Sequence, residues 1–222
     1  MKPKIKVKIG IDIAMTIVLI LLMSYELIGQ STHEWIGMIM FLLFIIHHIL
    51  NHQWVRNQRK TKWSVVRIWQ IFLVIWVLAT MFGSMISGII LSRTVFTFLP
   101  VIHGQGKARI IHLFCAYWGF VGMSLHLGYH WRMMMAMASK NFKAKLDKYT
   151  WILRILAIVI AGYGIYAFIK QNIASYMFLR NMFVFFDYSK PIIYFFADYI
   201  AIMGLFVCVG HYVSKGISKI SQ

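Results

Sequence analysis

Apolar residues run along this chain in long blocks with few charges inside them. Blocks of spanning length, about 20 residues, fall at 9–28, 34–54, 68–91, 110–134, 151–169 and 192–213. The pattern predicts an all-α, polytopic membrane protein with about six transmembrane helices. A four-helix bundle is expected over residues 1–135 and a two-helix C-terminal extension over 136–222. One stretch breaks the pattern. "QNIASYMFLRNMFVFFDYSKP", residues 171–191, is aromatic, lightly charged and too interrupted to span. It is expected to form an interfacial or re-entrant element before the last helix.

Composition agrees with this class. The chain is 60% hydrophobic, more than the interior of a 222-residue soluble domain can absorb. The first apolar block is long enough to span, and no small-residue cleavage site follows it, so a membrane helix is expected there and not a signal peptide. Cys115 and Cys208 lie in separate apolar blocks with no Cys-x-x-Cys motif. That leaves structural zinc, dithiol redox chemistry and covalently attached haem without sequence support.

Charge placement carries the topology. If the six blocks cross in turn, 17 of the 23 Lys and Arg residues fall on the side of the two termini and 6 on the other. The positive-inside rule then puts both termini in the cytoplasm. The basic excess is a topology signal with an attraction to anionic membrane lipid, and nucleic acid is not an expected partner.

The chemistry lies in the histidines. "HEWIGMIMFLLFIIHHILNH", residues 33–52, puts four of them in one apolar block, where an ionisable side chain needs compensation. His33 and His47 are 14 residues apart in the second block, and so are His112 and His126 in the fourth. Fourteen residues make just under four helical turns, so each pair shares a helix face and is separated by about 21 Å along it. The second and fourth helices run parallel in the expected topology. His33 then lies at the depth of His112, and His47 at the depth of His126. Two facing imidazoles per layer are too few for a tetrahedral zinc ion. They suffice for a haem, whose macrocycle supplies the other four nitrogens, and such a bis-histidine iron carries electrons and leaves no position for oxygen. The expected cofactors are therefore two haem b groups, the outer on His33 and His112 and the inner on His47 and His126.

Small residues near the ligands, Gly37, Ala116, Gly119 and Gly122, would leave room for a flat ring. "STHE" reads as a capping box, with Ser31 as N-cap and Glu34 reaching back to it, which puts His33 in the first turn. Arg93 and Arg109, with Lys107, can pair with the propionates of the outer group, and Arg132 and Arg56 with those of the inner one. The inner register stays open. His48 is rotated about 60° to the other side of His33, and His130 returns to the face of His112 after five turns. His48 and His130 are thus alternative inner ligands or the lining of a quinone pocket. A lone membrane histidine can also serve only to hydrogen-bond a neighbouring helix.

The ordered set "HEWIG", "HHILNHQW", "GIILSR" and "IH" followed by "HLGYHW" resembles the cytochrome b-type four-helix membrane subunits of hydrogenases and formate dehydrogenases. It is still more similar to the bacterial flavinylation-associated cytochromes. The likeness covers about residues 9–135. It implies that His33, His47, His112 and His126 are haem ligands. It also implies electron transfer across a prokaryotic cytoplasmic membrane, between the quinone pool and an extracytoplasmic, flavin-carrying redox protein. The doubled histidine at 47–48 and the third at 52 depart from the family pattern. No nucleophile–base set and no flavin or nicotinamide fingerprint is present, so any catalysis would be quinol oxidation or quinone reduction. The rival class is a transporter that moves protons or a divalent metal through the histidine cluster and Asp198. For Asp198 the plainer expectation is a carboxylate near the outer interface, bonded to a tyrosine or a helix end.

Overall fold

The computed structural model describes residues 3–58, 63–99, 104–142, 150–184 and 186–220. Among them every regular element is a helix. The order is α1 (Pro3–Leu22), α2 (Tyr25–Gln58), α3 (Val65–Leu91), α4 (Gln105–Phe142), α5 (Thr150–Lys170), the short α6 (Ile173–Met177) and α7 (Ile192–Ile220). Five helices, α2, α3, α4, α5 and α7, are long and apolar enough to cross a membrane. The all-α, multi-pass expectation therefore holds, with five spans of this quality where six were expected.

The difference lies in the first block. The apolar run 9–28 is cut in two. Ser24 is buried and its hydroxyl donates to the Leu21 carbonyl at 2.6 Å, which closes α1. Gly29 then adopts φ 73°, ψ 168° inside α2, a conformation that costs a side-chain-bearing residue dearly. The chain reverses between these points. What remains of α1 is 20 residues with Lys4, Lys6 and Lys8 in its opening turns.

The chain divides into two compact units, Met1–Trp63 with Phe82–Leu113, and Ser64–Met81 with Phe114–Gln222. The division falls inside α3 and α4. In the first unit α1 packs antiparallel on α2, with Lys8 Nζ on Asn51 Oδ1 and Asp12 Oδ1 on His47 Nδ1, both at 2.8 Å. Leu19, Met40 and Phe44 form the buried seam, and the Phe44 ring meets Phe82 of α3 edge-on at 5.8 Å.

In the second unit glycines set the helix spacing. A Cβ on Gly128 of α4 would strike the Val207 carbonyl of α7, and one on Gly210 of α7 would strike the Leu125 carbonyl of α4. A Cβ on Gly164 of α5 would strike the Ala201 carbonyl. Backbones thus touch where side chains are missing, the usual way helices associate when lipid removes any hydrophobic advantage of packing. The segment after α5 folds onto α4. Ile173, Tyr176 and Met177 are buried, Tyr176 stacks on Tyr117 at 5.1 Å, and the Trp118 indole donates to the Met177 carbonyl at 2.9 Å. Asn172 and Leu179, both at positive φ, bracket this turn. Phe178, Phe183 and Tyr188 are exposed.

Candidate functional site

His33 stands in the first turn of α2 after the Gly29 break, and His112 in the second turn of α4. Both belong to the first unit. Their ring centres are 6.1 Å apart with an interplanar angle of 75°, and the Tyr25 ring meets His33 edge-on at 5.2 Å.

The His112 ring is held by α3. Its Nδ1 lies 3.0 Å from the Ser84 carbonyl and 3.1 Å from Ser87 Oγ. A carbonyl only accepts, so Nδ1 carries the proton. The Ser87 hydroxyl gives its own proton to the Gly83 carbonyl at 2.5 Å, which leaves its oxygen to accept from the ring. The lone pair of His112 is therefore on Nε2. This is the pattern of a metal-ligating imidazole whose second nitrogen is tied to the protein. Gly88 lies against the ring edge, where an added Cβ would be 3.4 Å from Cε1, so any large side chain there would displace the ring. The His33 ring comes within reach of the Leu22 carbonyl. Its Nδ1 is buried with no hydrogen-bond partner, a costly state for a polar atom in an apolar setting.

His47 is likewise tied at Nδ1, here to the Asp12 carboxylate at 2.8 Å. Asn51 caps the His47 carbonyl at 2.9 Å. His48 instead donates Nδ1–H to the Phe44 carbonyl one turn back at 2.8 Å and packs on the Phe44 ring at 4.2 Å. His52 is exposed and bonds the Ile49 carbonyl. His126 and His130 belong to the second unit. Their rings lie edge-on at 4.8 Å, and Tyr129 flanks His130 at 4.9 Å. The His126 Nδ1 is buried.

The small residues divide. Space beside Gly37 is open, with nothing within 4 Å of an added Cβ. Beside Gly119 and Gly122 it is taken by α3. Thr80 Oγ1 lies 3.3 Å from a Cβ at Gly119, and the Trp76 indole 3.2 Å from one at Gly122. Ala116 is partly exposed, and Arg93, Arg109 and Arg132 are exposed. The capping box does not form as expected. Glu34 turns away from the Ser31 amide and takes donors from Gln30 and from residues 92–95.

Asp198 is fully buried and accepts from the Tyr163 hydroxyl at 2.6 Å and from Lys170 Nζ and Gln171 Nε2, both at 2.7 Å. Its partners stand on α5 and at its end, which accords with the plainer expectation for this carboxylate.

Sequence reasoning missed Asp12, Ser84, Ser87 and Gly88. A faint signal existed for the last three: "GSMISG", residues 83–88, gathers four small residues in an otherwise bulky apolar helix. No family model, no curated protein and no solved structure matches the chain.

Proposed function

We propose that this chain is a membrane electron carrier. It holds two b-type haems, the outer on His33 and His112 and the inner with His47 as a ligand. It passes electrons between membrane quinol and an extracytoplasmic redox protein, such as a flavin-carrying one. The observation that carries the reading is the His33–His112 pair. Two imidazoles that held one metal between them would each bond it at about 2.0 Å and would have ring centres about 6 Å apart. The centres here are 6.1 Å apart. One ring has its Nδ1 tied to Ser84 and the other has a buried nitrogen without a partner.

Bound haem would supply a one-electron couple at each site. The residues do the rest. Ser84 and Ser87 fix the tautomer and plane of His112. Asp12 does the same for His47, and a carboxylate on a ligand histidine raises its basicity and so favours the oxidised metal. Gly37 leaves open space one turn below His33. Arg93 and Arg109 would neutralise propionates on the outer side and Arg132 on the inner. Among the described residues no three His, Cys, Asp or Glu side chains gather into one group.

The topology proposed with this function has six crossings. α1, antiparallel to α2 and 20 residues long, supplies the sixth. Both termini then face the cytoplasm of a prokaryotic cell.

The test is a reduced-minus-oxidised spectrum of the purified protein with haem and iron measured per chain. Two haems per chain are expected, and His112→Ala should lose one and keep the other. A colourless, folded protein grown with ample haem would overturn the proposal and turn attention to proton or metal transport.

A further inference from the structure

The side chain next to His33 does something the capping-box expectation did not foresee. Glu34 Oε2 accepts from Ser92 Oγ at 2.8 Å, Thr94 N at 2.8 Å and Val95 N at 3.0 Å. Its Oε1 accepts from Arg93 N at 2.9 Å and Gln30 Nε2 at 3.0 Å. Three successive backbone amides converge on one carboxylate, an arrangement that commonly holds anions. Ser92 Oγ meanwhile accepts from Phe96 N at 3.0 Å, which closes the turn on itself.

The turn at 92–95 directly follows α3. The preceding two turns of α3 carry Ser84, Ser87 and Gly88, which hold and shape the seat of His112. Glu34 therefore joins the backbone that bears His33 to the helix end that orients His112. Charge-assisted bonds of this kind are about twice as strong as neutral ones, and the carboxylate is the only part of Glu34 that can meet so many donors at once.

We infer that Glu34 is a positioning residue that sets the spacing of His33 and His112, so that both can grip one metal from opposite sides. The inference rests on the proposed haem reading. A neutral amide in its place has one acceptor oxygen and would turn its NH₂ donor toward backbone N–H groups, so Glu34→Gln should loosen the pair without removing either imidazole.

The readout is ligand strength at the outer haem. With both imidazoles bound, reduced haem has no open position for carbon monoxide. Glu34→Gln is expected to raise the carbon monoxide-reactive fraction of one haem several-fold and to broaden that haem's low-spin resonance, with the other haem unchanged. Ser92→Ala, which removes one donor of the five, should move the same signals in the same direction by less. Amide hydrogen exchange at 93–95 should quicken in both variants. Two intact, carbon monoxide-inert haems in Glu34→Gln would overturn the positioning role and leave the haem reading standing. Equal damage to both haems would also overturn it, since the effect would then be general. A wild-type protein without haem would overturn the reading itself, and the positioning role with it, even if exchange at 93–95 still quickened.

Discussion

A histidine offers two ring nitrogens, and the one already bonded to the protein decides what the other is free to do. His47 and His48 illustrate this at adjacent positions. His48 spends its Nδ1 on its own helix, at the Phe44 carbonyl, and packs at a tilt against the Phe44 ring. His47 spends its Nδ1 on a carboxylate of another helix, Asp12 of α1. The second is how ligand histidines are commonly held. His47→Ala is accordingly expected to lose one haem while His48→Ala keeps both, as read by haem per chain. Asp12→Asn should keep its haem less tightly, by about tenfold or more, and shift that haem's midpoint potential upward, as read by redox titration. Two unchanged potentials in Asp12→Asn would count against His47 as the inner ligand.

At the scale of elements, glycine does two unlike jobs. Gly29 breaks a helix through its backbone angle and lets α1 fold back along α2. Gly128, Gly164 and Gly210 keep regular helices and contribute by lacking a Cβ. At Gly128 even one carbon would meet the Val207 carbonyl of α7, and backbone cannot step aside as a flexible side chain can. Gly128→Leu should therefore force α4 and α7 apart and cost at least the 1–3 kcal/mol of ordinary overpacking, as a lowered midpoint of thermal unfolding in detergent. Gly37→Ala, with no protein atom within 4 Å of its Cβ, should not lower the midpoint of the haem-free protein. α6 and its flanks show the same economy. Two residues at positive φ turn the chain, and the Tyr176 ring and the Met177 carbonyl hold it to α4.

At the scale of the whole molecule the deciding quantities are charge and crossing number. The proposed topology, with 17 of the 23 Lys and Arg residues on the side of both termini, takes α1 as its sixth crossing. An impermeant thiol reagent distinguishes the cases. With Cys115 and Cys208 replaced, single cysteines at Lys4 and Ser221 should both be protected in intact cells, and one at Thr97 should label. If Lys4→Cys labels while Ser221→Cys does not, α1 does not cross and the two termini lie on opposite sides.

Much of this was legible in one dimension. Apolar length announced α2, α3, α4, α5 and α7, because the thickness of a bilayer fixes how many residues a crossing needs. Helical period placed His33 with His112 as candidates to meet. It could not place Glu34, whose local pattern mimics a capping box but whose five donors include three amides about sixty residues away. Nor could it separate Gly37, which borders open space, from Gly119 and Gly122, whose missing side chains are replaced by Thr80 and Trp76.

The sequence by itself determined that this is a multi-pass, all-helical chain with a strongly lopsided charge and histidines at matched intervals. These properties follow from counting along a chain of known rise and period. Only the tertiary structure decided that the first apolar block folds back at Ser24 and Gly29, that α3 orients His112, that Asp12 claims His47, and that Glu34 spans to the turn after α3. Each depends on which groups helix packing brings within hydrogen-bonding distance, about 3 Å, and a spacing along the chain does not contain that distance.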